Sequence, residues 1–271
     1  MRSALKTLWM HPTPIRLLAG MAVRRLGLLP YATRVDLFIE HRPAYAYATL
    51  QAARLAKKLG IMRISIIEFG VAGGNGLLNL EHHAREVEKV TDVAIDVYGF
   101  DTGEGLPAPQ DYRDLPYHWK PGFFRMDKAA LLARLHKVKV IFGDVAQTVP
   151  QFIAENKPAP IGAIFHDLDF YSSTRDSLAI MDVPPEFRLP RISNYFDDVI
   201  GDDIAAYNPY TGQLAAIEEY NRAHAMQKFT QPQYLKKYPQ HIWTHQYYLY
   251  HDFAHPRYND FISADNQQLA L

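Results

Sequence analysis

Five short β-prone runs constrain this chain more than anything else in its sequence, because each ends at an acid or a glycine. They are "ISIIEFG" (64–70), "VAIDVYGFD" (93–101), "VKVIFGD" (138–144), "IGAIFHD" (161–167) and "RISNYFDD" (191–198). Segments of helical pattern lie among them, at 44–60, 76–90 and 171–182, and another follows at 212–226. Strands alternating with helices predict right-handed crossovers and a doubly wound, mainly parallel α/β sheet covered on both faces. The aromatic stretch "IWTHQYYLYHDF" (242–253) reads as a late, antiparallel addition. Ligands of such sheets lie beyond the carboxyl ends of the strands, where strand order reverses. The pattern therefore sends Glu68, Gly70, Asp101, Asp144, Asp167, Asp169, Asp197 and Asp198 to one edge.

At 271 residues the chain can bury a substantial core, and no internal repeat divides it. Basic and acidic residues balance at 29 each, so no basic excess argues for a nucleic-acid partner. The absence of cysteine removes disulfides, thiolate nucleophiles and cysteine-ligated zinc together. The apolar stretches of residues 1–30 are broken by His11, Pro12, Pro14, Arg16, Arg24 and Arg25, which leaves no signal-peptide core. No run approaches the roughly 18 apolar residues of a bilayer span. An amphipathic helix over 15–28 is expected instead, packing on the domain or pairing with another subunit in a homo-oligomer, with a membrane surface as the lesser alternative. A cytoplasmic location is the working expectation. Residues 1–43 read as an N-terminal helical extension and 44–271 as the main domain. Within it, 102–126 forms a long proline- and aromatic-rich insertion at the ligand edge, expected to be a lid or substrate wall. The proline-rich segment 183–192 reads as a connection without chemistry.

"EFGVAGGNG" (68–76) joins the first strand to the first helix. Its glycines, among them Gly70, Gly74 and Gly76, allow a sharp turn and close approach of a ligand. No Gly-Lys-Ser/Thr follows, which excludes a phosphate cradle of the Walker type. Glu68 would repel a pyrophosphate but not the cationic, amino-acid-like end of S-adenosylmethionine, so it favours that cofactor over a nicotinamide dinucleotide. Asp101 is then placed to accept ribose hydroxyls and Asp144 the adenine amino group.

With these motifs in place the chain resembles the class I S-adenosylmethionine-dependent methyltransferases, and more narrowly the macrocin O-methyltransferase family. The likeness spans about 64–203 and is carried by "EFGVAGGNG", "FDTGEGLP" (100–107), "GDVAQTVP" (143–150), "DLDFYSST" (167–174) and "YFDD" (195–198). One departure stands out: "PPEFRLPRI" replaces the Gly-Gly turn usual before strand five. The resemblance implies a seven-stranded Rossmann-like methyltransferase fold and methylation of a hydroxyl on a small molecule, such as a sugar or natural-product moiety. It also implies a magnesium-type ion, held by Asp167 or Asp169 together with Asp197 and Asp198. Oxygen-only donors suit that ion. A cation beside the acceptor stabilises a developing alkoxide, and Asp169 or Asp167 is the candidate base. Asp202 and Asp203 read as solvated loop residues.

Other residues carry structural expectations. His166 reads as a buried histidine, with a base for metal-free transfer as the alternative. Tyr171 and Ser173 are expected to cap a helix or touch substrate, and Arg42 or Tyr45 to cap or close over the cofactor. His82 and His83 are expected on the solvent side of their helix, and His251, Asp252 and His255 in the core or rim. Rival readings are an oxidoreductase or epimerase using NAD, and a non-catalytic S-adenosylmethionine-binding module.

Overall fold

The structure is a computed structural model and describes residues 14–263, with side chains from residue 18. Residues 1–13 of the expected extension, and residues 264–271, lie outside the described residues. Three helices come first: α1 (Pro14–Leu26), α2 (Tyr31–Asp36) and α3 (Pro43–Lys58). There follow β1 (Arg63–Phe69), α4 (Asn75–Thr91), β2 (Ala94–Asp101), α5 (Lys128–Leu132), β3 (Val138–Phe142), α6 (Val145–Asn156) and β4 (Ile161–His166). The chain continues through α7 (Tyr171–Leu178), β5 (Arg188–Phe196), α8 (Gly212–Ala223), β6 (Gln227–Thr230), α9 (Trp243–Gln246) and β7 (Tyr247–Asp252).

The strands form one seven-stranded sheet in the order β3-β2-β1-β4-β5-β7-β6. β1 to β5 pair in parallel, and β7 lies antiparallel to β5 and to β6. The chain starts in the middle at β1, winds out to β3, and returns to β4. The reversal thus falls between β1 and β4. β1 shows how the sequence builds the two layers: Ile64 and Ile66 join the core under α3 and α4, while Ile67 and Phe69 join the core on the other face. That alternation is the two-residue period of a strand buried on both sides.

Register explains why the acids converge. Phe69 faces Phe100 on one side and His166 on the other, and His166 faces Phe196. The residues that follow, Gly70, Asp101, Asp167 and Asp197, therefore leave the sheet at one level.

Four expectations need correction. Strand five begins at Arg188, inside the segment read as a connection, and ends at Phe196, so Asp197 and Asp198 start a short 3-10 turn. Its pairing steps from Ile161↔Arg188 to Ala163↔Ser193, an irregularity that accommodates Pro190, which has no N–H to donate. The run 242–253 divides into α9 and β7. β6 and α6 were not legible, the first being four residues long and the second carrying Pro150. Finally, His83 is fully buried. Its ring bonds the Tyr31 hydroxyl at 2.8 Å and the His41 carbonyl at 2.9 Å, which fastens α2 to α4; His82 alone faces solvent.

Candidate functional site

The glycine loop is shaped mainly by what it must clear. Gly70 has φ +83°, and a Cβ there would overlap the Asp167 carbonyl oxygen, which keeps β1 and β4 close at the reversal. At Gly76 a Cβ would collide with Glu68 Oε1. Gly74 packs against Leu131, and of the three only Gly70 lines the cavity at the strand ends. Glu68 lies 1% exposed beneath the loop, with Oε1 accepting from the Tyr45 hydroxyl at 2.7 Å. Oε2 has no partner. Burial pushes its carboxyl up to about 8, against the pull of the Tyr45 hydrogen bond.

Asp101 holds the loop from the next strand. Its Oδ2 accepts from the N–H groups of Val71 and Ala72 at 2.8 and 2.9 Å, and Oδ1 from Gly103 N at 2.5 Å. With both lone-pair positions of Oδ2 engaged, Oδ1 is the atom left for a ligand hydroxyl. Asp144 caps α6 through Ala146 N at 2.9 Å and lines the same cavity.

On the β4–β5 side, carboxylate oxygens of Asp167, Asp197 and Asp198 all come within 4.8 Å of one another. Asp169 stands beside them at φ +57°, its N–H donating to Asp198 Oδ2 at 3.0 Å, and it lies outside that triplet. Asp197 is oriented by the Tyr195 hydroxyl at 2.5 Å, while Gln246 Nε2 donates to its backbone carbonyl at 2.7 Å. Asp198 N donates to Gln213 Oε1 at 2.9 Å, and the Gln213 amide also reaches the His166 carbonyl. Burial first, and then the charges of Asp197 and Asp169, push Asp167 up to about 8. Burial and Asp197 raise Asp169 to about 7. Burial followed by Asp169, Asp167 and Asp197 holds Asp198 well above the usual carboxylate range. Three crowded acids with oxygen-only donors thus carry unfavourable mutual repulsion that a bound cation removes. The donor set fits a hard divalent ion.

The cavity that these residues share has a volume of about 460 Å³, within the range of small-molecule sites. Gly70, Asp101, Gly143 and Asp144 line one end, and Asp167, Asp169, Asp197 and Asp198 the other. The 102–126 insertion supplies a wall through Leu106, Trp119 and Phe124. Asp114, fully buried, fixes the insertion by accepting from Ser172 N at 2.8 Å and Ser172 Oγ at 2.9 Å. Arg113 adds a stack 3.9 Å over the Tyr171 ring.

The remaining candidates fall elsewhere. His166 is fully buried, stacked on Phe196 at 4.3 Å and bonded to Ser177 and Asn194. Burial pulls its ring down to about 3, so it is a neutral core histidine and no base for the cavity. Asp252 pairs with Arg188 at 2.6 Å in the interior, and His255 bonds backbone carbonyls. Tyr171 caps nothing: the N-cap of α7 is Phe170, without a side-chain bond, while Ser173 does line the cavity. Asp203 caps the next turn through Ala205 and Ala206 N and lies 3.7 Å from His118. No sequence signal pointed to Tyr207, which lines the cavity near Asp198 and Asp169; it lies in a loop past the strand-five acids that matched no motif. Among the described residues no helix is long and apolar enough to cross a membrane.

No protein-family model and no curated protein matches the chain. Solved structures do. The O-methyltransferase NovP superposes with a TM-score of 0.53 at 14% identity, over 77% of this chain and 79% of its own. The calicheamicin methyltransferase CalS11 gives 0.49 at 21% identity, over 78% and 86%. TomG from Streptomyces achromogenes, an O-methyltransferase of tomaymycin synthesis, gives 0.43 at 14%, over 91% and 92%. At such identities the likeness is one of fold. With its strand order and its antiparallel β7, the chain has the Rossmann-like fold of the methyltransferases.

Proposed function

We propose that this protein is an S-adenosylmethionine-dependent O-methyltransferase, assisted by a divalent metal and similar to the macrocin O-methyltransferases. Its acceptor is a hydroxyl on a small molecule, a sugar or natural-product moiety. The observation that carries this reading is the triplet Asp167, Asp197 and Asp198, which shares one cavity with the glycine loop at the sheet's reversal point. The fold shared with NovP, an O-methyltransferase, supports it. In this reading residues 1–43 serve as a helical extension of a methyltransferase domain spanning 44–271, and the chain works in the cytoplasm.

When bound, S-adenosylmethionine supplies an electrophilic methyl group, and magnesium supplies positive charge beside the acceptor oxygen. Asp167, Asp197 and Asp198 hold the ion. Gly70, Asp101 and Asp144 position the adenosine, with Glu68 beneath the loop toward its amino-acid end. Asp169 lies in the cavity but outside the triplet, which leaves its carboxylate to accept the acceptor's hydroxyl proton. Trp119 and Phe124 cover the acceptor and exclude water, so that orientation does most of the work of an in-line displacement.

Thermal unfolding with S-adenosylhomocysteine, with magnesium and with both tests this reading. Stabilisation by each alone, lost for magnesium on adding chelator, is expected. Stabilisation by neither ligand in folded protein overturns it.

A further inference from the structure

The loop between β5 and α8 brings Tyr207 into the acid cavity, a side chain that the proposed reaction does not use. Its ring is closely seated. Gly201 has no left-handed φ to explain a glycine, yet a Cβ there would stand 2.4 Å from the Tyr207 ring and 2.6 Å from its hydroxyl oxygen. The chain around the tyrosine is tied to itself. Asp203 Oδ1 accepts from Ala205 and Ala206 N at 2.7 and 2.8 Å. Asn208 Nδ2 donates to the Ala205 carbonyl at 2.9 Å, and the Thr211 hydroxyl to the Ala206 carbonyl at 3.0 Å. Ala206 itself is buried. A loop held this closely fixes where Tyr207 stands.

Its hydroxyl differs from those of the neighbouring tyrosines. Tyr45, Tyr195 and Tyr171 each donate to a carboxylate, of Glu68, Asp197 and Glu219, at 2.7, 2.5 and 2.5 Å. The Tyr207 hydroxyl makes no hydrogen bond among the described residues. Burial, followed by the charges of Asp198, Asp169 and Asp197, raises its phenol above the ordinary value, so it keeps its proton and can donate it. What it donates to follows from the proposed reaction. The attacking hydroxyl oxygen has two lone pairs. One is directed at the methyl group and the other at the ion, while the proton goes to Asp169. That oxygen has no lone pair left for Tyr207, so the phenol is matched to a second oxygen of the acceptor.

Resting on the proposed function, we infer that Tyr207 binds the acceptor, its hydroxyl donating to an oxygen beside the one methylated, so that the site takes vicinal diols. Two sources share that chemistry: a sugar with adjacent hydroxyls, and a catechol ring. Trp119 and Phe124 line the same cavity, and the insertion that carries them meets the Tyr207 loop at His118 and Asp203, 3.7 Å apart. Aromatic rings from two segments thus offer faces to either diol. Holding one oxygen on Tyr207 decides which of the two is presented to Asp169.

Ligand-observed magnetic resonance titration of wild type and Tyr207→Phe, each loaded with S-adenosylhomocysteine and magnesium, tests this. The probes are catechol and methyl α-D-mannopyranoside, with phenol and cyclohexanol as their single-hydroxyl counterparts. Loss of one hydrogen bond should weaken the diol about tenfold in Tyr207→Phe and leave the single-hydroxyl compound unchanged. Calorimetry should find S-adenosylhomocysteine and magnesium bound equally by both proteins. Binding of catechol alone supports an aromatic diol, and binding of the mannoside alone a sugar. Equal diol affinity in the two proteins, an equal loss for diol and single-hydroxyl compound, or weakened magnesium in Tyr207→Phe overturns the inference. So does a loaded wild type that binds neither diol. A wild type that binds no S-adenosylhomocysteine counts instead against the methyltransferase reading itself.

Discussion

The Tyr195 hydroxyl donates to Asp197 Oδ1 at 2.5 Å, so a tyrosine of β5 orients one member of the acid triplet. Asp197 is also one of the three acids whose carboxylate oxygens gather within 4.8 Å of one another. Groups that orient a metal ligand are commonly worth 10- to 100-fold in metal affinity. Tyr195→Phe should therefore weaken magnesium about tenfold in calorimetry while S-adenosylhomocysteine binds as before. An unchanged magnesium affinity would remove the orienting role.

Glu68 gives the fold a cost that depends on pH. Burial raises its folded value to about 8 from an ordinary 4.5. The folded chain thus holds a proton that the unfolded chain has lost, and stability contributed by the neutral form declines between those two values as pH rises. Glu68→Gln, which stays neutral, should melt near wild type at pH 5 and above it at pH 9, by a few kcal/mol at most. A pH-independent difference between the two proteins would contradict this.

His83 acts in the opposite direction. Burial lowers it to about 4 from 6.5, so the unfolded chain takes up a proton that the folded chain refuses. Its contribution to stability is complete above pH 6.5 and declines as pH falls toward 4. His166, lowered further for the same reason, adds to that slope. The melting temperature should fall from pH 7 to pH 4, and His83→Gln should flatten the fall while losing stability at pH 7.

The Arg188–Asp252 pair is 7% and 1% exposed at its two side chains and ties the start of β5 to the end of β7. Breaking a buried pair from one side strands a charge and costs about 3–5 kcal/mol. Asp252→Ala should unfold at correspondingly lower denaturant with little change in the slope of the transition.

Much of this arrangement was legible in the chain. The β-branched runs gave the strands because a strand buried on both faces, as β1 and β4 are, needs a largely apolar sequence, and the acids that follow those runs marked the ligand edge. What sequence could not supply was the direction each acid takes once there. Glu68 turns under the glycine loop toward Tyr45, and Gly76 owes its identity to Glu68 as much as to any ligand. Asp101 spends most of its acceptor capacity on backbone N–H groups. His83 and the Arg188–Asp252 pair were misjudged or overlooked for one reason: their partners lie 52 and 64 residues away in the chain. Pro190 concealed the start of β5, since a proline tolerated at an irregular pairing looks in sequence like one that ends a strand.

The most direct test is calorimetric titration of S-adenosylhomocysteine and magnesium into wild type and into the double variant Asp197→Ala/Asp198→Ala. The account predicts micromolar S-adenosylhomocysteine binding to both proteins and magnesium binding to wild type alone. Well-folded wild type that binds no S-adenosylhomocysteine, or a double variant that binds magnesium undiminished, would contradict it.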